Sequence, residues 1–520
     1  MQKVLTFLIV VVVFQSAAAE SDLPQTPPGQ YFALSAKDHQ GAQTFQAGQP
    51  VVGTSYFYWY DVDSKAHIFN GDGSDAFTTH PPTTKGLSYK STAWHQTQLR
   101  DMIEAGVDFL VPVYWGIPGK YSRWSFAGLP PLVKAHDALL DEGLAPPAIG
   151  LFFDSSILRH NSFQKDGSNV HVDLSTEWGF DYFYTSIRDY FSLIPPDKWA
   201  RVDGKPILFL YTASFSKQQS PNQFDQLRRR FQADFSVEPF IVKMRDWQGT
   251  ADAVYQWGGS VRLQIDSQVA ALGPGYDHTA VPGRKPLVVG RNNGKTYVDR
   301  WKQLLQLHPD RRPWMIHVET WNEWHEGTDI AESREYGRTY LVLTRLFADL
   351  WHTKTQTTPH GKFSGSRQVD WKPGMPNGVT VDRNIADGAW SLRRLEDFAA
   401  VVSQHHEGRD QTRYLYFSVD DSFAFDRSGE DMELEVHYLD AGCQSLSVQY
   451  DSFDTKSSVR DGAFRSTDTQ EIQGSGQWSM AKFTLPACRF ANRCNGADLR
   501  IAILGGEREL AVRRVVLCRK

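Results

Sequence analysis

The chain has 520 residues, of which 41% are hydrophobic, 22% charged and 13% aromatic. These fractions are typical of globular proteins and exclude a collagen-like, coiled-coil or wholly disordered chain, and the length predicts two or three domains. Sixty acidic against 55 basic residues give a net charge of −5. A dedicated nucleic-acid-binding protein normally carries a basic face, so we expect no nucleic-acid partner.

Residues 1–19 have the pattern of a signal peptide. Lys3 provides a positive start, residues 4–14 are apolar except for Thr6, and three alanines at 17–19 form a small-residue cleavage site. The apolar run is too short to span a bilayer. We therefore predict an exported protein, secreted or periplasmic, with no membrane contact after the signal peptide is removed.

Between residues 50 and 351, short apolar runs alternate with amphipathic stretches. The eight runs predicted as strands are 51–60, 107–115, 146–154, 205–212, 239–244, 253–257, 261–266 and 313–321. Helical patterns cover 92–106, 129–142, 176–193, 221–234, 296–307 and 334–351. Most apolar runs are continuous, as in strands buried on both faces, so we predict an α/β fold with a (β/α)8 barrel. The alternative, a doubly wound open sheet, lacks its G-x-G-x-x-G motif after the first strand.

The C-terminal part has a different pattern. Residues 352–378 are rich in Thr, Gly, Pro and Ser and are predicted to form a linker. From 379 to 520 short alternating runs are separated by turn residues, which predicts an antiparallel β-sandwich. The predicted strands are 413–419, 432–440, 445–452, 480–485, 499–504 and 510–517.

All four cysteines, Cys443, Cys488, Cys494 and Cys518, lie in this C-terminal part. An even, clustered set in an exported chain predicts two disulfides, with three possible pairings. A zinc site is disfavoured because no C-x-x-C pair is present. The acidic residues Asp420, Asp421 and Asp426 either hold a structural calcium ion or form a solvated loop; we expect no other cofactor.

The segment at 317–337 carries the strongest chemical signal. Glu323 and Glu326 stand three residues apart after the eighth predicted strand and are flanked by tryptophans. Two close carboxyls in a partly dry pocket do not ionise together, which provides a proton donor beside a base, as glycoside cleavage requires. The alternatives are two surface glutamates at a helix start, or a metal site with His317 and Glu319, for which no third ligand has a fixed spacing.

Further candidates for substrate binding lie at strand ends and in loops of the barrel. Aromatic faces suit stacking on sugar rings, and polar side chains are unusual at the ends of buried strands. The alternative for each of these residues is ordinary packing or a structural loop. The candidates are Tyr56, Tyr58, Trp115, Asp154, Tyr211, Tyr276, Arg284, Asn322, Trp324 and His325.

Residues 321–328 (WNEWHEGT), followed by S-x-E-Y-G, resemble the signature of glycoside hydrolase family 99 and of related exopolysaccharide-processing barrel proteins. Further similar motifs are YFYWY (56–60), VPVYWG (111–116), VDGKPILFLY (202–211) and GPGYDHTAVPGR (273–284). The resemblance covers about residues 50–350 and supports the barrel.

The resemblance implies retaining hydrolysis of α-mannosides. By position, Glu323 would deprotonate the 2-hydroxyl of the sugar, Glu326 would act as acid and then as base, and Asn322 would hydrogen-bond the sugar. The third strand, however, ends in LFFDSSILRH (151–160), where a glutamate-centred motif is expected in the mannosidases. This departure from the mannosidase pattern concerns the sugar and not the barrel. From the resemblance, an α-mannoside stays the first substrate expected.

The C-terminal part resembles β-sandwich carbohydrate-binding modules at residues 417–440 and 490–503, with a purely structural module as the alternative. Taken together, the sequence predicts an exported retaining glycoside hydrolase that acts on a polysaccharide or glycan. The alternatives are a non-catalytic glycan-binding or surface-assembly protein on a barrel scaffold, and a transglycosylase that uses the same glutamates.

Overall fold

A computed structural model of the chain describes residues 23–520, except 358, 384–386, 405–412, 427–429, 457–459 and 506–508. The signal peptide predicted for residues 1–19 lies outside the described residues. Within the described part of the chain, no helix combines the length and the apolar character needed to cross a bilayer.

The N-terminal domain is a (β/α)8-type barrel, as the sequence predicts. Its strands are β1 (Val51–Tyr56), β2 (Phe109–Tyr114), β3 (Ala148–Ile149 and Leu151–Phe153), β4 (Lys205–Leu210), β5 (Phe240–Met244), β6 (Ala253–Tyr255), β7 (Val269–Leu272) and β8 (Met315–Val318). Parallel pairing runs from β7 through β8, β1 and β2 to β6. The barrel is nearly closed, because β6 and β7 lie beside each other without a pairing ladder.

One predicted strand is wrong. The run at 261–266 contains only a two-residue strand, Gln264–Ile265, which is antiparallel to β7 and forms the outer arm of a hairpin. The seventh barrel strand is instead Val269–Leu272, whose four residues are all buried. Polar residues such as Gln264 interrupt the predicted run, whereas a parallel barrel strand must be covered on both faces.

Helices cover the outside of the barrel. They are α1 (Thr92–Ala105), α2 (Trp124–Ala127), α3 (Leu129–Asp141), α4 (Glu177–Ser192), α5 (Gln223–Phe235), α6 (Lys295–Gln306) and α7 (Thr339–His352). Five closely follow their predicted ranges, but α7 begins five residues later than expected because Ser333 and Gly337 pair across a turn. No helix follows β5 or β6, since residues 245–268 contain only strands and loops.

Two layers of buried side chains build the barrel core. Alternate residues of each strand point inward or outward: Val51 and Met315 belong to the interior layer, while Val52 and Ile316 contact the helices. Because the strands are parallel, the residues that follow their carboxyl ends meet at one mouth of the barrel.

Residues 31–45 close the opposite end of the barrel. The Tyr31 N–H donates to the Ser192 carbonyl at the end of α4, and the Leu34 N–H donates to Asp234 near the end of α5. Phe45 pairs with the short strand Arg201–Val202 and contacts the Phe109 ring. The mouth at the other end remains free of this segment.

The C-terminal domain is an antiparallel β-sandwich, as predicted. One described sheet contains Gln368–Lys372, Met375–Asn377, Trp390–Leu395, Phe398–Ser403, Met432–Leu439, Trp478–Leu485 and Ala511–Arg519. The other contains Val379–Asp382, Arg413–Val419, Ser445–Tyr450, Arg465–Ser466, Gln470–Glu471 and Leu499–Leu504. Residues 368–372, expected in the linker, pair with the last strand and so belong to the sandwich.

The sandwich is anchored at the closed end of the barrel. Asp426, buried in the sandwich, accepts hydrogen bonds from the His308 backbone N–H and from Arg311 in the loop that precedes β8. Arg489 of the sandwich donates to the same carboxylate at 2.8 Å. A second approach is at Gly496, where an added Cβ would lie 4.0 Å from Arg262 Cδ of the segment after β6.

Two expectations for the sandwich are corrected. All four cysteines are free: Cys488 donates to the Leu485 carbonyl, Cys494 packs beside Phe464, and Cys518 lies opposite Glu433 on the last strand. The two predicted disulfides are therefore absent from this structure.

The calcium site is also not formed. Asp420 accepts hydrogen bonds from Ser422 and Asp426 pairs with two arginines, so the carboxylates do not converge. Asp421 is half-buried, and burial raises its pKa to about 6. The described residues contain no group of three His, Cys, Asp or Glu side chains that could hold a metal ion, in the sandwich or in the barrel.

Candidate active site

A cleft of about 420 Å³ opens at the barrel mouth. Glu323, His325 and Glu326 from the loop after β8 line one part of it, and Arg284 reaches it from the hairpin loop after β7. The remaining wall is the loop that follows β1.

The two glutamates are held in a tight turn. The Thr320 side-chain oxygen accepts the Glu323 N–H at 2.8 Å, and the Thr320 N–H donates to the Thr328 carbonyl at 2.9 Å. Gly327 closes the turn with a φ of +54°, where an added Cβ would meet the Thr78 methyl group at 3.3 Å. These bonds bring residues 323 and 326 to the same cleft, as the E-x-x-E spacing predicts.

Glu323 is buried, with 3% of its surface exposed. Its Oε1 accepts the His325 N–H at 3.0 Å and lies 3.1 Å from His325 Nδ1. Its Oε2 has no hydrogen-bond partner among the described residues. A buried oxygen without a donor is costly, so this atom is ready to accept a proton or a hydrogen bond from a bound molecule.

Glu326 pairs with Arg284, whose Nη1 contacts Oε1. The pKa of Glu326 is raised by burial and by the nearby charge of Glu323, while Arg284 and Tyr276 oppose the rise. Tyr276 and Arg284 therefore contact an acidic residue of the cleft, as their strand-end loop predicts. The raised pKa allows Glu326 to hold a proton beside a second carboxyl group.

His325 links the glutamates to the loop after β1. Its Nε2 lies 2.7 Å from the His67 carbonyl oxygen, and its ring stacks against Phe77. The pKa of His325 is raised, because the favourable contacts with Glu323 outweigh burial.

Aromatic rings form the wall opposite the glutamates. Trp59 stacks face to face on His67 with ring centroids 4.5 Å apart, and it meets Trp115 and Trp124 edge-on. Burial and the nearby His325 lower the pKa of His67 to about 4, so its ring is neutral. Such a wall presents apolar faces to a sugar ring.

Four predicted substrate-binding residues lie beneath the cleft rather than in it. Tyr56 and Tyr58 are fully buried, and their hydroxyls bond to His95 and to the Ser125 carbonyl. Trp324 is also buried. The Asn322 amide exchanges two hydrogen bonds with the Phe57 backbone, so both of its polar atoms are engaged. These side chains fix the cleft and are not free to contact a sugar, because the pleat of β1 and its continuation turns Tyr56 and Tyr58 outward, toward the surrounding helices.

Asp154 and Tyr211 are half-buried at the ends of β3 and β4. The pKa of Tyr211 is raised by burial and also by the charges of Asp154 and Glu326, which shows that these strand ends face one another. Burial raises the pKa of Asp154, although Ser156 and the Trp115 indole oppose the rise. The structure thus brings Asp154, Tyr211 and Trp115 to the same mouth as the glutamates.

Trp59, His67 and Asn70 line the cleft but were not among the predicted residues. The sequence contains a signal for Trp59, because this residue belongs to the aromatic run 56–60. Tyr56 and Tyr58 were predicted instead, because residues two apart on a strand share a face. His67 and Asn70 lie in an irregular loop that has no periodic pattern, so only tertiary structure reveals them.

A second His–Glu pair lies below the cleft. His317 points into the barrel beside Phe209, and its Nδ1 is 3.9 Å from Glu319 Oε1. Glu319 accepts the Gly258 N–H at 2.8 Å, and burial raises its pKa to about 8. Burial lowers the pKa of His317 to about 3. Both groups are therefore uncharged near neutral pH, and neither lines the cleft.

Comparisons identify known proteins to which the chain is similar. The chain is 21% identical to the glycoprotein endo-α-1,2-mannosidase of Rattus norvegicus and 22% identical to that of Mus musculus, over 249 residues in each case. These matches cover 46% of the chain and 49% of each mannosidase, so the chain spans about half the length of the curated relatives it matches.

The GH99 endo-α-mannosidase structure from Bacteroides thetaiotaomicron is 16% identical, with a TM-score of 0.40, and the match covers 60% of the chain and 100% of that structure. The family described as "Domain of unknown function (DUF5010)" matches residues 32–358. Because this match covers more than half of the chain, the protein belongs to the DUF5010 family.

Proposed function

We propose that this protein is an exported retaining glycoside hydrolase that cleaves an α-mannoside linkage in a polysaccharide or glycan. The observation that carries the proposal is the placement of Glu323 and Glu326 in one aromatic-walled cleft at the barrel mouth. The similarity to endo-α-mannosidases supports the same class of reaction.

Glu323 is suited to the role of base. Its Oε1 is held by His325, whereas its Oε2 is free to accept the proton of the sugar 2-hydroxyl. The 2-oxygen then attacks the anomeric carbon and breaks its bond to the leaving oxygen. In an α-mannoside the 2-hydroxyl and the leaving oxygen lie on opposite faces of the ring, as this displacement requires.

Glu326 is suited to the role of acid. Its raised pKa favours the protonated form, which can donate to the leaving oxygen. In the second step the Glu326 carboxylate takes a proton from water as this water attacks the anomeric carbon, the bond between the anomeric carbon and the 2-oxygen breaks, and Glu323 returns its proton to the 2-oxygen. The two displacements together retain the anomeric configuration.

Turnover of the variants Glu323→Gln and Glu326→Gln tests the proposal. Each change preserves size and removes one proton-transfer group, so we expect kcat to fall at least ~100-fold, the order expected for lost acid–base catalysis. The measurement is release of reducing ends from α-mannans and bacterial exopolysaccharides by the purified full chain.

Glu142→Gln is the matched control. Glu142 follows α3 at the closed end of the barrel and pairs with Arg100 on the surface, so its change should leave turnover unaltered. Near-normal rates in both cleft variants would overturn the proposal. Glycan binding by the wild-type protein without new reducing ends would instead favour a non-catalytic scaffold, and transfer to sugar acceptors would identify a transglycosylase.

The sandwich resembles carbohydrate-binding modules in sequence, and its role in binding glycan stays a prediction. A glycan array with the full chain and with Glu323→Gln tests it, because binding away from the cleft should survive the cleft substitution.

A further inference from the structure

His325 contacts three acceptors that constrain where its protons lie. Its backbone N–H donates to Glu323 Oε1 at 3.0 Å, its Nδ1 lies 3.1 Å from the same oxygen, and its Nε2 lies 2.7 Å from the His67 carbonyl oxygen. A carbonyl oxygen can only accept, so Nε2 must carry a hydrogen.

The second ring nitrogen faces the same requirement. Nδ1 lies 3.1 Å from a carboxylate oxygen, which is ion-pair distance, so a proton on Nδ1 is favoured there over a bare lone pair. Since Nε2 is already occupied, a proton on Nδ1 makes the ring an imidazolium beside the Glu323 carboxylate.

The surroundings of the ring favour this charged form. The ionisable groups that face it are Glu323, Glu326, His67 and Tyr60. Of these, His67 is neutral, since its pKa is lowered to about 4, and Tyr60 is neutral because burial raises its pKa. Glu323 is therefore the acidic group that contacts the His325 ring, and it favours a cation, whereas Glu326 is paired with Arg284.

The ring is also held in place. Phe77 stacks on it at an interplanar angle of 17°, and Trp59 lies over it at 30°. His67 adopts a φ of +56°, a rare conformation for a residue with a side chain, at the position that supplies the carbonyl acceptor. Thus the loop after β1 fixes the orientation of a side chain that belongs to the loop after β8.

We propose that His325 is a positioning residue that carries a proton on each ring nitrogen, bridges the His67 carbonyl to Glu323 Oε1, and leaves Glu323 Oε2 as the reactive oxygen. This inference rests on the proposed function for its role in catalysis, but the charge state of His325 is measurable without any substrate.

Histidine NMR of the free protein provides the first test. In the wild type we expect both His325 ring nitrogens to remain protonated above pH 6.5, and we expect the His325 pKa to fall by about one unit or more in Glu323→Gln, because an opposite charge is lost. His352 is the internal control, since it pairs with Asp108 at 2.7 Å at the end of α7 and should titrate identically in both proteins.

A neutral His325 ring at pH 6 in the wild type, or a His325 titration that Glu323→Gln leaves unchanged, would overturn the inference. If the protein hydrolyses no glycan but His325 behaves as expected, the proposed function fails while the charge assignment stands.

Two variants at position 325 provide the second test. His325→Phe keeps a flat ring between Phe77 and Trp59 but removes both donors, so the acidic limb of the kcat/KM pH profile should move upward by about one unit. His325→Gln retains a neutral donor and should recover part of kcat without restoring the acidic limb. Equal pH profiles in the wild type and His325→Phe would contradict the positioning role, whatever their absolute rates.

Discussion

Two histidine–glutamate pairs follow one another along β8 and the loop after it. One pair is uncharged, and the other forms an ion pair. His317 and Glu319 lie inside the barrel with 3.9 Å between Nδ1 and Oε1, whereas His325 and Glu323 line the mouth at 3.1 Å. The interior pair is uncharged near neutral pH, since the histidine pKa is about 3 and the glutamate pKa about 8.

The difference between the pairs comes from their partners rather than from residue type. The His317 ring nitrogens have no hydrogen-bond partner among the described residues, so nothing offsets the cost of burying an imidazolium. His325 has the His67 carbonyl and a closer carboxylate. Burial alone therefore neutralises a histidine–glutamate pair, and a few directed acceptors are enough to keep it charged.

The largest effect expected from this comparison is a pH dependence of stability at Glu319. Its folded pKa of about 8 lies above the ordinary value of 4.5, so its stabilising contribution is complete below pH 4.5 and is lost as the pH rises to 8. The loss approaches about 1.4 kcal/mol per pH unit within that window. Denaturant unfolding of the wild type and Glu319→Gln at pH 5 and 8 measures it.

Glu319→Gln should remove this slope, because a glutamine cannot titrate and still accepts the Gly258 N–H. The free energy of unfolding of the wild type should therefore fall relative to that of the variant between pH 5 and 8. Parallel curves for the two proteins would show that Glu319 is ionised inside the barrel.

The second effect concerns turnover. Glu319→Gln resembles the protonated side chain that the barrel already holds, so we expect kcat at pH 7 to change less than about threefold. Glu323→Gln removes the base, and we expect a loss of at least ~100-fold. Reducing-end assays on the same glycan compare the two variants, and equal losses would place both pairs in the chemistry.

The smallest effect is expected at His317. Replacing this buried ring by leucine removes two unpaired nitrogens, so His317→Leu should raise the free energy of unfolding by about 1 kcal/mol at pH 7. The lowered pKa of His317 makes its contribution complete above pH 6.5 and lost as the pH falls toward 3, so the gain should grow at pH 5. A loss of stability at both pH values would mean that packing dominates at this position.

The sequence predicts the barrel well because its strands and helices have strong local patterns. The continuous run 107–115 and the amphipathic stretch 92–106 need no tertiary information. The seventh strand is not predicted from its local pattern, because Val269–Leu272 is only four residues long and follows the longer apolar run 261–266 in the sequence. The early sandwich strand Gln368–Lys372 is missed for a similar reason, since it follows directly on a Gly- and Ser-rich stretch.

The candidate site is predicted only in part. Glu323, His325, Glu326 and Arg284 lie in the cleft, as expected from their position at the strand ends. Other predicted side chains point away from the cleft. Their direction depends on where β1 ends and on the path of the chain after it, and the sequence determines neither. Asn322 illustrates the limit, because the same motif position that implies a sugar contact is fully occupied by the Phe57 backbone.

The Asp426 anchor separates the attachment of the sandwich from the cleft. Arg311, Arg489 and the His308 N–H hold the sandwich beside the loop that precedes β8, whereas every residue that lines the cleft belongs to the barrel. The chemistry proposed for the glutamates therefore needs no side chain from the second domain, and changes at the Asp426 anchor would reach the cleft only through the barrel.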